Sequence, residues 1–322
     1  MSRTSNGKVQ ATSAKTPRRS RPKLPQETLG NYAYELIRKQ YQTLTKQEKR
    51  VLADRDPEGL HDMRVASRRL RTALQVFERA IDLPKAANSN RIQAIAKVLG
   101  NLRDLDVQLA ALNNEYLPLL PSAEQRSLEE VVQALQQERR KAFAATADIL
   151  GRSRYRDLKD AYDTWLHQPR YTALADLPLM LVLPDLLTPL LSDLLLHPAW
   201  LIPLNQAAEL SETLHDLRKL CKHVRYQAEF FIDFYGPDFR AWVQEIRTIQ
   251  DALGQLQDVQ VLQELLAEHL PKAVKLPKFQ RLIQTRQNTA LQEWEVLRPK
   301  YLLPDFRQQL RQQLLNCQAP AT

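Results

Sequence analysis

Apolar positions along the chain recur at helical spacing, most clearly in LHDMRVASRRLRTALQVF at residues 60 to 77. With about 100° of rotation per residue, Met63, Ala66, Leu70, Ala73 and Phe77 fall between roughly 120° and 200° when His61 is placed at 0°. Arg64, Arg68 and Arg71 fall at about 300°, 340° and 280°, so with His61 they form one row, separate from the apolar stripe. The stretch LHDLRKLCKHVRYQAEFF at 214 to 231 repeats the design. There His215, Arg218, Lys222 and Arg225 make the row, opposite Leu217, Leu220, Val224 and Phe231. Each row rises about 15 Å, enough to track several linked anionic groups.

The same periodicity predicts a helix from about Glu27 to Ala53, marked by Tyr34, Ile37, Tyr41, Leu44 and Val51. Asp56 and Pro57 supply an N-cap and first turn for the first charged helix, which ends before Pro84. A third helix is expected at about 88–114. A fourth runs from Ser122, with Ser122 and Gln125 as a capping box, towards Leu150, and the pattern continues to about His167. Beyond it a short buried helix is expected near 185–197, then a helix capped by Ser211 and ending near Gly236 and Pro237. Helices at about 238–268, 278–298 and 304–315 follow. Leu177 to Leu196 is very apolar, but Pro178, Pro184, Pro189, Asp185 and Asp193 argue against a membrane span.

Leu60, His61, Asp62, Arg64, Arg71 and Phe77 each recur 154 residues later, without a gap, as Leu214, His215, Asp216, Arg218, Arg225 and Phe231. Under the same shift IAKVLGNLRDLDV at 95 to 107 meets IQDALGQLQDVQV at 249 to 261. A register held over some fifty residues argues internal duplication. Gly100 and Gly254 occupy one matched position inside this helical pattern, where glycine costs about 1 kcal/mol relative to alanine, so close approach of a neighbouring helix is expected there. The implied organisation is an arm at 1–26, a first half at 27–167, a linker at 168–177, a second half at 178–316 and a tail at 317–322.

Only seven glycines, with abundant Leu, Ala, Gln, Arg and Glu, point to an all-helical protein. The net charge of +9 is misleading, because residues 1–26 hold seven basic residues and no acidic one. The remainder carries 39 cations against 37 anions. Its basicity is therefore local, concentrated in the duplicated row, which favours a bounded anion site over a surface that coats any polyanion. The arm, rich in Ser, Thr, Lys, Arg and Pro, reads as disordered, with a composition also shared by organelle transit sequences. Cys221 and Cys317 form no disulfide framework or metal cluster, Cys221 reads as a packing residue, and a reducing cytoplasmic setting is expected.

Arginine offers a planar fork of donors that matches phosphate oxygens, and lysine adds a mobile point charge. A row of such residues on one helix is ordinarily a solvated face; the same row twice in register is better read as a site for a chain of phosphates. Histidine among cations disfavours its charged form, so His61 and His215 should take up protons when a polyanion binds. Arg139, Arg140, Lys141, Arg281 and Arg286 are expected to face solvent, and Trp165 and Trp294 to lie in the core. His167, His197 and His269 sit near predicted helix ends.

Two other functions compete. The His61-Asp62 and His215-Asp216 doublets are found in metal-dependent phosphohydrolases, but Asp62 lies about 100° from His61 on the wheel and three nearby cations oppose a metal. Nucleic-acid binding is supported by the basic arm, which could add weak nonspecific affinity. The rows, however, lack interleaved aromatics for stacking and match no docking motif.

HDMRVASRRLR and HDLRKLCKHVR resemble the paired signatures of the conserved histidine α-helical domain, or CHAD, family, with LGNLRDLDV and LGQLQDVQV resembling its accompanying helices. The resemblance covers about residues 28 to 316. It implies two tandem antiparallel four-helix bundles related by a pseudo-twofold axis, whose signature helices line a basic central cavity that binds inorganic polyphosphate without catalysis, metal or cofactor. Carried over position by position, the binding residues are His61, Arg64, Arg68, Arg71, His215, Arg218, Lys222 and Arg225, with Arg69, Lys219 and His223 adjacent. A cytoplasmic location, alongside polyphosphate granules, is the matching expectation. Lys222 and His223 replace the Arg68 and Arg69 of the first signature, so the second half is expected to bind less strongly at neutral pH. Some family members are fused to a triphosphate hydrolase, but no ExExK-type signature occurs here.

Overall fold

In a computed structural model of the chain, residues 27–203, 206, 210–271 and 273–318 are described. The basic arm at 1–26 and tail residues 319–322 lie outside them. Among the described residues the structure is helical, with only isolated bridges Thr28 to Pro178 and Ile81 to Tyr171. Its long helices are α1 (Leu29–Ala53), α2 (Pro57–Val76), α3 (Ser89–Ala111), α4 (Ser122–Gly151), α5 (Ser153–His167), α6 (Leu179–Leu196), α7 (Ser211–Phe230), α8 (Pro237–His269), α9 (Pro277–Leu297) and α10 (Pro304–Leu315).

Local chemistry sets the ends. Asp56 caps α2 as its spacing predicts, accepting from Glu58 N and Gly59 N at 2.9 and 3.2 Å. The capping box at Ser122 does not form, because Ser122 is already helical and the Gln125 amide donates to the Leu117 carbonyl. Ser211 is likewise the first helical residue of α7 and not its cap. The run expected to continue from α4 to His167 breaks at Arg152, whose backbone is extended, leaving α5 as a separate helix. Helix α6 starts earlier than expected and carries Pro184 and Pro189 within it. Pro184 has no N–H for the Met180 carbonyl, and the Cys317 thiol donates to that carbonyl instead, at 3.2 Å.

The connecting segment is held down by backbone bonds: Thr172 N donates to Ala80 O, Asp82 N to Arg170 O, and Leu29 N to Leu177 O. Leu179–Leu201 is long and apolar enough to cross a membrane, yet Leu183, Leu187, Leu191 and Leu194 are buried in the protein's own core, and α6 packs on α7 and α10.

One continuous apolar core joins both halves, from Ile37, Leu44 and Met63 to Leu217, Val224 and Ile246. A smaller core joins Leu112, Tyr116 and Leu128 to Val259, Leu262 and Phe279. In the larger core the fully buried Phe77 and Phe231 meet edge to face at 6.1 Å, each contributing about 1.5–3 kcal/mol by burial. They are counterparts across the 154-residue shift. Arg68 and Lys222, also counterparts, are close enough for one charge to perturb the other. The two charged helices thus approach each other at counterpart positions, Phe77 with Phe231 and Arg68 with Lys222. At the smaller core the buried Glu124 of α4 accepts from Lys278 N and Phe279 N at 3.0 and 2.9 Å, capping α9. These two anchored ends leave a space between them.

Candidate functional site

That space is a cavity of about 900 Å³. Helix α2 contributes Arg64 and Arg68, and α7 contributes His215, Arg218, Lys219 and Lys222. Arg103 of α3 and its counterpart Gln257 of α8 also line it, as do Arg139 of α4 and Arg286 of α9. The last two correct the expectation that they face solvent, whereas Arg140, Lys141 and Arg281 are exposed.

The structure does not bring His61, Arg71, Arg225, Arg69 or His223 to the cavity wall. His61 is exposed on α2. Arg225 and Arg69 instead share one carboxylate between α7 and α2: Glu229 accepts from Arg225 at 2.6 Å and from Arg69 at 2.7 Å, and Gln250 accepts from Arg225 Nε at 3.0 Å. Helical phase alone could not foresee this, since Glu229 becomes a partner of Arg69 only when the helices pack. His223 faces Arg71, Lys222 and Arg68; burial first, then those cations, pull its pKa below the usual histidine range.

The matched glycines shape the wall. A Cβ on Gly100 would stand 3.7 Å from Arg64 Nε, and one on Gly254 would stand 3.3 Å from Arg218 Nε. What lies against each glycine is therefore an arginine side chain, not a neighbouring helix. Both Nε atoms are buried without a hydrogen-bond partner. One helical turn beyond each glycine stands an aspartate, Asp104 and Asp258, again counterparts. Arg64 donates to Asp104 at 2.8 Å. The 154-residue register aligns Gly100, Asp104 and their equivalents without assigning them to the site; the signal for that is their position on the helix face that meets the charged row.

Several wall cations are already paired: Arg139 with Asp54 at 2.6 Å and Asp106 at 2.7 Å, Arg286 with Glu115 at 2.5 Å, and Lys219 with Asp216 at 2.5 Å. Arg68, Arg218 and Lys222 have no such partner among the described residues. Burial, reinforced by Arg68, Arg218 and Arg64, pushes the Lys222 ammonium down to about 7. Burial also lowers Arg64. His215 is lowered by burial and then by Lys219 and Arg218. Perturbation of this kind, in a concave site, marks groups arranged for a ligand.

The histidine-aspartate doublets do not converge on a metal geometry. Asp62 accepts from Gln47 at 3.3 Å and lies 3.7 Å from Arg50, and no group of three His, Cys, Asp or Glu side chains among the described residues could hold a metal ion.

Known proteins agree with this architecture. The CHAD domain family matches residues 35–267. Among solved structures, the CHAD domain from the plant Ricinus communis is 25% identical with a TM-score of 0.59, covering 92% of this chain and 94% of that one. PptA from Streptomyces chartreusis is 18% identical with a TM-score of 0.60, covering 88% of this chain and 99% of that one, a likeness of fold. No curated protein matches the sequence. The chain belongs to the CHAD domain family.

Proposed function

We propose that the protein binds inorganic polyphosphate in the cavity between α2 and α7, as a binding protein without catalytic turnover. The observation that carries this reading is the convergence of Arg68, Arg218 and Lys222 in one enclosure without carboxylate partners among the described residues. Bringing these charges together in a partly desolvated space is unfavourable for the empty protein. A linear chain of phosphates relieves the repulsion at every position, since each guanidinium finds an oxygen pair and Lys222 regains its proton. A single phosphate would satisfy one or two of these groups and leave the rest repelling one another. His61, Arg71 and Arg225 would then act outside the cavity, His61 and Arg71 as contacts for emerging phosphates and Arg225 as a strut.

The test is a polyphosphate titration of the purified protein beside a variant with Arg64, Arg68, Arg218 and Lys222 changed to alanine. With charge-assisted bonds at about 1.5–3 kcal/mol each, affinity should fall more than about a hundredfold with helicity retained. Undiminished binding by the variant would refute the site. Duplex DNA, which tracks charge without needing an enclosure, should compete poorly at moderate salt, and deleting residues 1–26 should lower DNA affinity more than polyphosphate affinity.

A further inference from the structure

At two points of the wall a carboxylate stands outward of the cation it touches. Asp104 is 60% exposed at its side chain and its partner Arg64 19%; Glu115 is 53% exposed and its partner Arg286 33%. At these two points the guanidinium lies deeper in the wall than its carboxylate, whereas at Arg139 the order is reversed and Asp106 is the more buried partner. Asp258, the counterpart of Asp104, lines the same cavity and is exposed. Each aspartate follows its glycine by one turn; at Gly100 this sets Asp104 on the Arg64 guanidinium at 2.8 Å, while Asp258 makes no such bond to Arg218.

We propose that Asp104, Asp258 and Glu115 form a selectivity rim that admits a thin phosphate chain into the cavity and rejects broad polyanions such as duplex nucleic acid. This rests on the polyphosphate reading of the cavity. A thread of phosphates passes the rim, replaces the Asp104 contact it disturbs at Arg64, and reaches Arg218, whose buried Nε has no partner to lose. A duplex cannot enter; its major groove alone is about 12 Å wide, and its phosphates remain outside, held against carboxylates with the arginines behind them. Like charges so juxtaposed discriminate against the wrong partner more than they weaken the right one.

The experiment compares wild type, D104N/D258N and the charge-retaining D104E/D258E, each titrated with polyphosphate and with duplex DNA at fixed moderate salt, with thermal melting as a fold control. The asparagine variant should bind DNA at least about tenfold more tightly with a steeper salt dependence, while its polyphosphate affinity rises by a clearly smaller factor. The glutamate variant should keep wild-type selectivity. DNA affinity that stays at the wild-type value would overturn the rim, as would equal shifts for both polyanions, which indicate a general charge effect. Weakened polyphosphate binding in the asparagine variant would also overturn it, because the aspartates would then serve only to position Arg64 and Arg218. Wild-type protein that binds no polyphosphate would instead sink the reading of the cavity, a separate result that needs no variant.

Discussion

Helices α2 and α7 present the same plan with different electrostatics. On α2, Arg64 is tied to Asp104, and the next cation along the wall is Arg68. On α7 the equivalent of Arg68 is Lys222, whose proton is held only to about pH 7, and the equivalent of His61 is His215, which lines the cavity while His61 does not. A buried lysine loses its proton near neutral pH far more readily than an arginine, whose ordinary value is much higher. A repeated backbone can thus carry one wall with fixed charge and one wall that titrates, and the exchange of arginine for lysine at one position accounts for most of the contrast.

The largest expected effect tests that contrast directly. Arg68→Ala should weaken polyphosphate binding by about 10- to 100-fold at pH 8, since it removes a fixed cation worth about 1.5–3 kcal/mol. Lys222→Ala should cost less at pH 8 than at pH 6. Isothermal titration at both pH values decides it, and equal penalties for the two variants at pH 8 would mean that the walls do not differ.

A smaller effect follows from Lys222 in the intact protein. Bound phosphates favour its charged form, so binding takes up a proton wherever the free ammonium has lost one. Affinity should fall as pH rises above about 7, by at most about tenfold per pH unit, and Lys222→Arg should flatten the dependence. Calorimetry in buffers of different ionisation enthalpy reads the proton directly; His215, also lowered, adds uptake at more acidic pH. The sign for stability is opposite. The unfolded chain keeps Lys222 protonated to about 10.4, so between pH 7 and that value it binds more protons than the folded protein, and this lysine's contribution to stability improves as pH rises.

Much of this contrast is legible in the amino-acid sequence. The 3.6-residue period separates the apolar stripe from the charged row, and the 154-residue register identifies Arg64, Arg68, Arg218 and Lys222 as equivalent positions, all of which line the cavity. The period places every member of a row on one face, however, and a face is wider than a cavity. His61, Arg71 and Arg225 share the phase but not the enclosure, because the crossing of α2 and α7 decides how far along each row the space extends. Arg139 and Arg286 are read as solvent-facing for the converse reason: they reach the wall from α4 and α9, which nothing in their own periodicity places there. The helix ends at Ser122 and Ser211 depart from expectation because each serine is already the first helical residue, with Pro121 and Leu210 in the cap positions.

The smallest predicted effect separates the two walls through their glycines. Replacing a mid-helix glycine by alanine gains about 1 kcal/mol of helix propensity. At Gly100 the new methyl would meet Arg64 Nε at 3.7 Å, an ordinary contact, so Gly100→Ala should stabilise the fold by about 0.5–1 kcal/mol and leave binding unchanged. At Gly254 the distance to Arg218 Nε is 3.3 Å and a second guanidinium atom lies at 3.7 Å, so Arg218 must shift. Arg218 also lacks the aspartate bond that anchors Arg64, and its displaced guanidinium would swing within the cavity. Gly254→Ala should therefore gain less stability and weaken polyphosphate binding by about two- to fivefold, a loss of under 1 kcal/mol. Melting and titration of the two single variants side by side measure this, and an identical response at both positions would show that the arginines, not the glycines, set the geometry of each wall.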